Sequence, residues 1–137
     1  MKSVSLHFPK LEVSLKVDQE AECILADKDR MTQVFVNILE NAARYNDKEI
    51  PTCKVRSEKV DNSVVISFSD NGIGVSEKHL SKIFDSFYQV DMGSGRKVGG
   101  TGLGLAICRG IMAAHGGKIW AEQNPAGGTI FRISLSL

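Results

Sequence analysis

At 137 residues, 42% of them hydrophobic and 24% charged, the chain is long enough for one real core and too short for two domains. Its formal net charge of +1 argues against a strongly electrostatic partner, so no nucleic acid is expected. The cysteines Cys23, Cys53 and Cys108 show neither CxxC spacing nor a histidine in ligand pattern, which argues against metal and disulfide roles and for a reducing compartment. No apolar run approaches the roughly 18 residues of a membrane span, and no signal-peptide pattern opens the chain. A cytoplasmic location and no membrane contact are therefore expected.

Residues 1–10 alternate weakly and stop at Pro9, as a linker or an extra strand would. VSLKV (13–17) and ECILA (22–26) read as short strands. Asp27 reads as an N-cap, and an amphipathic helix is expected from about Lys28 to Tyr45, with Met31, Val34, Phe35, Ile38, Leu39 and Ala42 at helical spacing. Strands follow at about 53–60 and 63–69, then a short helix from Ser76 with Leu80, Ile83 and Phe84 on one side. Residues 88–101, with their glycines, polar groups and two cations, read as a mobile loop. The helix after Leu103 is apolar nearly all round except Arg109, the pattern of a buried helix, and His115-Gly116-Gly117 ends it. KIWAEQ and TIFRISLSL close the chain as two strands around the turn NPAGG. This order points to a mixed sheet with helices stacked on one face.

Three places carry chemistry. On the long helix, Arg30, Asn37, Asn41 and Arg44 form one stripe beside the apolar face. Asparagine is a poor helix former, so two of them four apart need a reason. Taken alone they read as polar groups satisfied at a helix–sheet boundary; the sharper reading is amide oxygens facing a cleft, where oxygen ligands hold Mg²⁺. In VVISFSDNGIGV (64–75), strand alternation places Asp70 on the inward face with Val64, Ile66 and Phe68. A hairpin turn at Asn71-Gly72 is the simple alternative, but no second alternating strand follows. An inward carboxylate beside glycines suits recognition of an exocyclic amine such as that of adenine. Thr129 shares the inward face of the last strand with Phe131, Ile133 and Leu135, where its hydroxyl is either a core-edge group or a support for Asp70 or a water.

The third place is GGTGLGLAI (99–107), glycines opening onto an apolar helix, where bare backbone N–H groups favour a phosphate. It is neither a dinucleotide fingerprint, whose last glycine would fall on Leu105, nor a P-loop, since Gly-Lys-Ser/Thr is absent.

Together, NILENAARYN (37–46), DNGIG (70–74), KIFDSFYQVD (82–91) and GGTGLGLAICRGIMAAHGGKIW (99–120) resemble, in order and spacing, the asparagine, first glycine, phenylalanine and second glycine boxes of bacterial sensor histidine kinases. The resemblance covers roughly residues 13–137. It implies the ATP-binding catalytic domain with the Bergerat fold: an α+β two-layer sandwich, its mixed, mostly antiparallel sheet of about five strands carrying three helices on one face. Residues 1–10 would be a linker or extra strand and 11–137 the domain, with a mobile ATP lid at about 86–101. By the same resemblance Asn41 would coordinate Mg²⁺ and Asn37 and Arg44 would contact phosphates. Tyr45 would pack near adenine, Asp70 would accept from its amine with Thr129 in support, and Gly72, Ile73 and Gly74 would wall the base. The lid, from about Phe87 to Gly100, would bring Arg96 or Lys97 to the terminal phosphate. Gly100, Thr101, Gly102, Leu103, Gly104 and Leu105 would meet the nucleotide at the following helix, the glycines giving the lid its pivot.

Two departures qualify this. Water-splitting relatives place a glutamate where this chain has Asn37, which cannot act as a base, and Glu40 lies about 100° round the helix from Asn41. No in-chain base or acceptor is identified: His7, His79 and His115 are not followed by an acidic residue, as the family's phosphoacceptor is. The expected activity is phosphoryl transfer from ATP–Mg²⁺ to a histidine on a dimeric helical hairpin of the same kinase, with a response regulator as indirect partner. The alternatives are a serine kinase of the anti-sigma-factor type and a non-catalytic nucleotide-binding regulatory module.

Overall fold

The computed structural model describes residues 27–86 and 104–136 in full, and Lys2–Ser3 and Glu12–Val17 by their backbone. The elements in chain order are β1 (Lys2–Ser3), β2 (Glu12–Val17), α1 (Lys28–Arg44), β3 (Thr52–Val60), β4 (Ser63–Asp70), 3₁₀ turns at Glu77–His79 and Lys82–Phe84, α2 (Gly104–Ala114), β5 (Lys118–Gln123) and β6 (Thr129–Ser136). The strands form one sheet in the order β1-β2-β3-β4-β6-β5. Among the described strands the β2–β3 pair is parallel and every other pair antiparallel. That is the mixed, mostly antiparallel sheet expected, with six strands rather than about five. The strand expected at 22–26 lies outside the described residues.

Helix α1 starts where its cap chemistry dictates. Asp27 is extended, and its carboxylate accepts from the N–H groups of Asp29 (3.0 Å) and Arg30 (3.1 Å), satisfying two donors that have no partner within the helix. His115, at the end of α2, braces the same corner: its Nε2 accepts from the Asp27 N–H at 3.1 Å while Nδ1 lies 2.9 Å from the Ile111 carbonyl.

One face of the sheet makes the core. Val55, Val64, Ile66, Phe68, Phe131, Ile133 and Leu135 are buried against Val34, Ile38 and Leu39 of α1 and Cys108 and Met112 of α2. Phe68 is fully buried and meets Phe35 edge-on, with ring centroids 5.1 Å apart. The opposite face is polar: Lys54 and Arg56 are exposed. There Arg132 pairs with Glu122 at 2.7 Å and donates to the Ser67 hydroxyl at 3.0 Å, while the Trp120 indole donates to Glu122 at 2.9 Å.

Two expectations are corrected. The short helix from Ser76 is a pair of 3₁₀ turns, only the second of which, through Ile83 and Phe84, enters the core. Three residues cannot close an α-helical hydrogen-bond ladder, but they can set one apolar pair. Helix α2 is not buried all round: Leu105, Cys108 and Met112 face inward, while Ile107 is 41% exposed and Gly110, Ala113 and Ala114 are also exposed. Its small residues make the helix look uniformly apolar in sequence, although the sheet covers only one side. No helix among the described residues is long and apolar enough to cross a membrane.

Replacing Phe68 with alanine removes the largest fully buried side chain and leaves Phe35 without its ring partner. The expected loss is about 3–5 kcal/mol of unfolding free energy, read from urea denaturation.

Candidate functional site

The site grows from the end of β4. Asp70 follows Val64, Ile66 and Phe68 on the inner face and is only 6% exposed. A carboxylate there must find donors, and two backbone groups supply them: the N–H of Gly72 at 2.9 Å and that of Thr129 at 3.0 Å. Both end on Oδ1, so among the described residues Oδ2 is the oxygen left to accept from another group. Burial pushes the Asp70 pKa above the ordinary carboxylate value, and the two backbone hydrogen bonds pull it part of the way back.

The two ends of the cradle are built by different elements. On one side Gly72 lies so close to the Tyr45 carbonyl that any Cβ would overlap it. The next residue, Ile73, donates its N–H to that same carbonyl at 3.0 Å. On the other side the β5–β6 turn brings Gly128, at φ +95°, onto Asp70, where a Cβ would overlap the Asp70 carbonyl and stand 2.6 Å from Oδ1. Asn124 ties this turn down, donating from Nδ2 to the Asp70 carbonyl at 3.1 Å and accepting the Ala126 N–H on Oδ1 at 3.1 Å. Beside the cradle, Ile73, Gly74, Gln123, Asn124 and Gly128 help to line an open groove of about 560 Å³.

Asn37 and Asn41 stand half-buried on α1, facing the first turn of α2. Asn37 donates from Nδ2 to the Gly104 carbonyl at 3.3 Å, and Asn41 donates from Nδ2 to the Asn37 carbonyl at 2.9 Å. A carbonyl only accepts, so each amide must turn its nitrogen to it, and each Oδ1 is the end directed elsewhere. The Cys108 thiol of α2 is fully buried, its Sγ donating to the Val34 carbonyl at 3.7 Å, and burial pushes it up to about 11. Burial pushes the Cys53 thiol, near Asp70, up to about 12. Neither is a thiolate at neutral pH.

Several expected residues therefore meet. Asp70, Gly72, Ile73 and Thr129 form one hydrogen-bonded unit with Tyr45, and Gly74 packs against Gly128. Asn37, Asn41 and Gly104 form a second group on the face between α1 and α2, and Leu105 is core. A Cβ on Gly104 would meet Asn37 and Asn41 only at ordinary contact, 3.8 Å or more, so packing does not demand glycine there. Arg44 is exposed at the end of α1, while the Tyr45 phenol beside it is half-buried and its pKa raised, chiefly by burial. Glu40 is exposed, away from the asparagine pair. Phe87, Arg96, Lys97, Gly100, Thr101, Gly102 and Leu103 lie outside the described residues, as does most of the lid. Thr129 holds Asp70 through its backbone N–H; the sequence offered a hydroxyl for that task. Reading the motifs alone also missed Asn46, Asn71, Asn124 and Gly128, whose one visible signal was asparagine and glycine clustered in turns.

The comparisons agree on the family. The model described as histidine kinase-, DNA gyrase B-, and HSP90-like ATPase matches residues 26–137. Sensor protein kinase WalK of Staphylococcus aureus is 46% identical over 111 residues, 80% of this chain and 26% of that protein. The chain thus spans about a quarter of the length of that curated relative. Among solved structures, the nucleotide-free catalytic domain of histidine kinase ThkA matches with TM-score 0.77 at 32% identity, covering 93% of this chain and 80% of that one. Full-length ShkA in complex with AMPPNP matches with TM-score 0.77 at 28% identity, over 91% of this chain and 25% of that one. The chain belongs to this ATPase family, as a catalytic domain of the sensor histidine kinase kind.

The raised Asp70 pKa has a consequence for stability. The folded state holds this proton to higher pH than the unfolded chain does, so Asp70's contribution is favourable in acid and is lost as pH rises from the ordinary value of 3.8 through the folded one. Asp70→Asn keeps an Oδ1 for Gly72 and Thr129 but cannot ionise. In urea unfolding across this range, without nucleotide, the stability of the variant relative to wild type is expected to rise with pH.

Proposed function

We propose that this domain binds ATP with Mg²⁺ and donates the γ-phosphoryl group to a histidine on a dimeric helical hairpin, for two-component signalling. The observation that carries the reading is Asp70: a buried carboxylate whose Oδ1 is held by two backbone N–H groups and whose Oδ2, among the described residues, is left as an acceptor beside glycine-bare backbone. An exocyclic amine is the donor that completes it, which selects adenine over guanine, whose corresponding ring position carries a carbonyl. The similarity to ShkA, which was solved in complex with AMPPNP, and to the sensor kinase WalK supports the same reading.

The asparagine pair fits the other end of such a ligand. Asn41 offers a neutral amide oxygen, a donor suited to a hard cation that keeps most of its ligands from water and phosphate. Mg²⁺, when bound, would neutralise phosphate charge. Asn37 lies within the same group and Arg44 at the end of the same helix, both in position to contact phosphates, with Tyr45 near the base. Residues 86–101 supply the lid, whose Arg96 or Lys97 meets the terminal phosphate, and Gly100, Thr101, Gly102, Leu103, Gly104 and Leu105 meet the nucleotide beyond it. Asn37 stands where the water-splitting relatives have a glutamate, and the neighbouring Glu40 is exposed to solvent. The domain's contribution is positioning and charge neutralisation, with the acceptor histidine and the response regulator as its partners in sequence.

Calorimetric titration with ADP, with and without Mg²⁺, and with GDP as control, tests the reading directly. Wild type is expected to favour ADP and to respond to Mg²⁺. Asn41→Ala should weaken the Mg²⁺-dependent part of binding, leaving metal-free ADP affinity nearly unchanged. Asp70→Asn should reduce the ADP-to-GDP affinity ratio on the order of 10- to 100-fold, the worth of a buried hydrogen bond to a charged group; equal discrimination by that variant would refute the role of Asp70. Labelled phosphate reaching a phosphoacceptor hairpin supplied in trans separates a kinase from a binding module: binding without transfer would favour the module.

A further inference from the structure

Between Asp70 and Gly72 sits a residue that contacts neither end of the proposed ligand site yet is densely bonded. Asn71 Oδ1 accepts from the Asn46 Nδ2 at 2.7 Å and from the Thr52 N–H at 2.9 Å. Its Nδ2 donates to the Ile50 carbonyl at 3.1 Å, and its own N–H donates to the Thr52 carbonyl at 3.3 Å. Asn46 is itself held, its Oδ1 accepting the Lys48 N–H at 2.9 Å. These bonds gather the whole connection from α1 to β3 onto the residue next to Asp70. That connection has little apolar burial to hold it: Asp47, Lys48 and Glu49 are exposed, and Ile50 is 60% exposed.

The clasp joins the two halves of the site. Tyr45 donates its N–H to the Asn41 carbonyl and accepts from the Ile73 N–H, both at 3.0 Å. Asn46 follows Tyr45, and Asn71 precedes Gly72. Two adjacent residues at the end of α1 are thus bonded to the loop that carries Asp70, one by backbone and one by side chain. Gly72 is caught between them, its Cβ position against the Tyr45 carbonyl and 3.4 Å from the Asn46 Nδ2.

We propose that the Asn46–Asn71 pair is a positioning clasp for adenine selectivity, locking the Asp70–Gly74 loop to the helix that carries Asn37 and Asn41. The inference rests on the reading of Asp70 as the adenine acceptor. Only an amide meets the geometry at position 71. It must accept on one side from two donors and donate on the other to a carbonyl; aspartate would set oxygen against the Ile50 oxygen, and serine is too short to span both. Without the clasp Asp70 keeps its two backbone donors, so the carboxylate stays buried, but the loop loses its register against α1. Base discrimination depends on that register, because a hydrogen bond weakens steeply as its angle departs from linear.

The test is calorimetry of the full chain with ADP and with GDP for wild type, Asn46→Ala, Asn71→Ala, Asn71→Asp and the double alanine variant, each with its folded fraction measured by urea unfolding. Simple loss of folding scales both affinities equally and leaves their ratio untouched, so the ratio is the diagnostic. Asn71→Ala is expected to lower the ADP-to-GDP ratio about 10-fold, and Asn71→Asp by a similar factor. Asn46→Ala removes two bonds, that to Asn71 and that from the exposed Lys48 N–H, leaves all of Asn71's other bonds in place and should lower the ratio by a few-fold, with the double variant no worse than Asn71→Ala alone. An unchanged ratio in folded Asn71→Ala, or in Asn46→Ala should the first variant not fold, overturns the proposal while leaving the role of Asp70 standing. A wild type that does not favour ADP overturns both, and is seen before any variant is compared.

Discussion

A buried carboxylate is expensive, and the architecture around Asp70 is the set of arrangements that make it tolerable. The Asp70 side chain ends an otherwise apolar row on β4, with β6 on one side and β3 on the other. Its donors come from its own loop, through Gly72, and from the start of β6, through Thr129. Both are backbone groups, which cannot swing away as side chains can, so the carboxylate keeps one orientation. The glycines at 72 and 128 follow from the same demand, because the Tyr45 carbonyl and Asp70 itself fill the space their Cβ atoms would need. Oδ1 is satisfied internally, and among the described residues Oδ2 is the oxygen that the proposed reading gives to a ligand.

The asparagine pair on α1 obeys a related logic with neutral groups. Each amide nitrogen is bound to a backbone carbonyl, which orients the oxygen without the cost of burying charge. Helix α1 can carry these poor helix formers because its other face is anchored by Val34, Ile38 and Leu39, all essentially inaccessible, and its start is capped by Asp27. Polar positions are thus held in place by apolar neighbours one turn away. Buried thiols at Cys53 and Cys108 fill the space behind both groups without adding a competing charge.

Polar ties cross the molecule in a second layer. Asn71, Asn124 and His115 each bond an element distant in sequence: the α1–β3 connection to β4, the β5–β6 turn to Asp70, and the end of α2 to the cap of α1. All three use a side chain that both donates and accepts, so each satisfies two strands of chain at once. The ends of the helices and the loops of the site are therefore fastened to one another as well as to the sheet.

The order of the two α-helices and of the strands from β3 to β6, the inward row ending in Asp70 and the capped amphipathic helix were legible in the residues, because they are written in periods of two and 3.6 and in local cap chemistry. The asparagine stripe was visible too, as an excess of poor helix formers in a strong helix. Tertiary structure alone decided that the residues after Ser76 form 3₁₀ turns and that α2 keeps one face in solvent, since both depend on how much of the sheet is left to cover. It alone decided that the partner of Asp70 from β6 is the Thr129 N–H and that Asn46, Asn71 and Asn124 are the ties of the site. A backbone donor carries no mark in the sequence, and an asparagine in a turn looks the same whether it faces water or closes a bond across 25 or 54 residues of chain. Local patterns report which face a residue takes; which group it meets there is set by register and long-range packing.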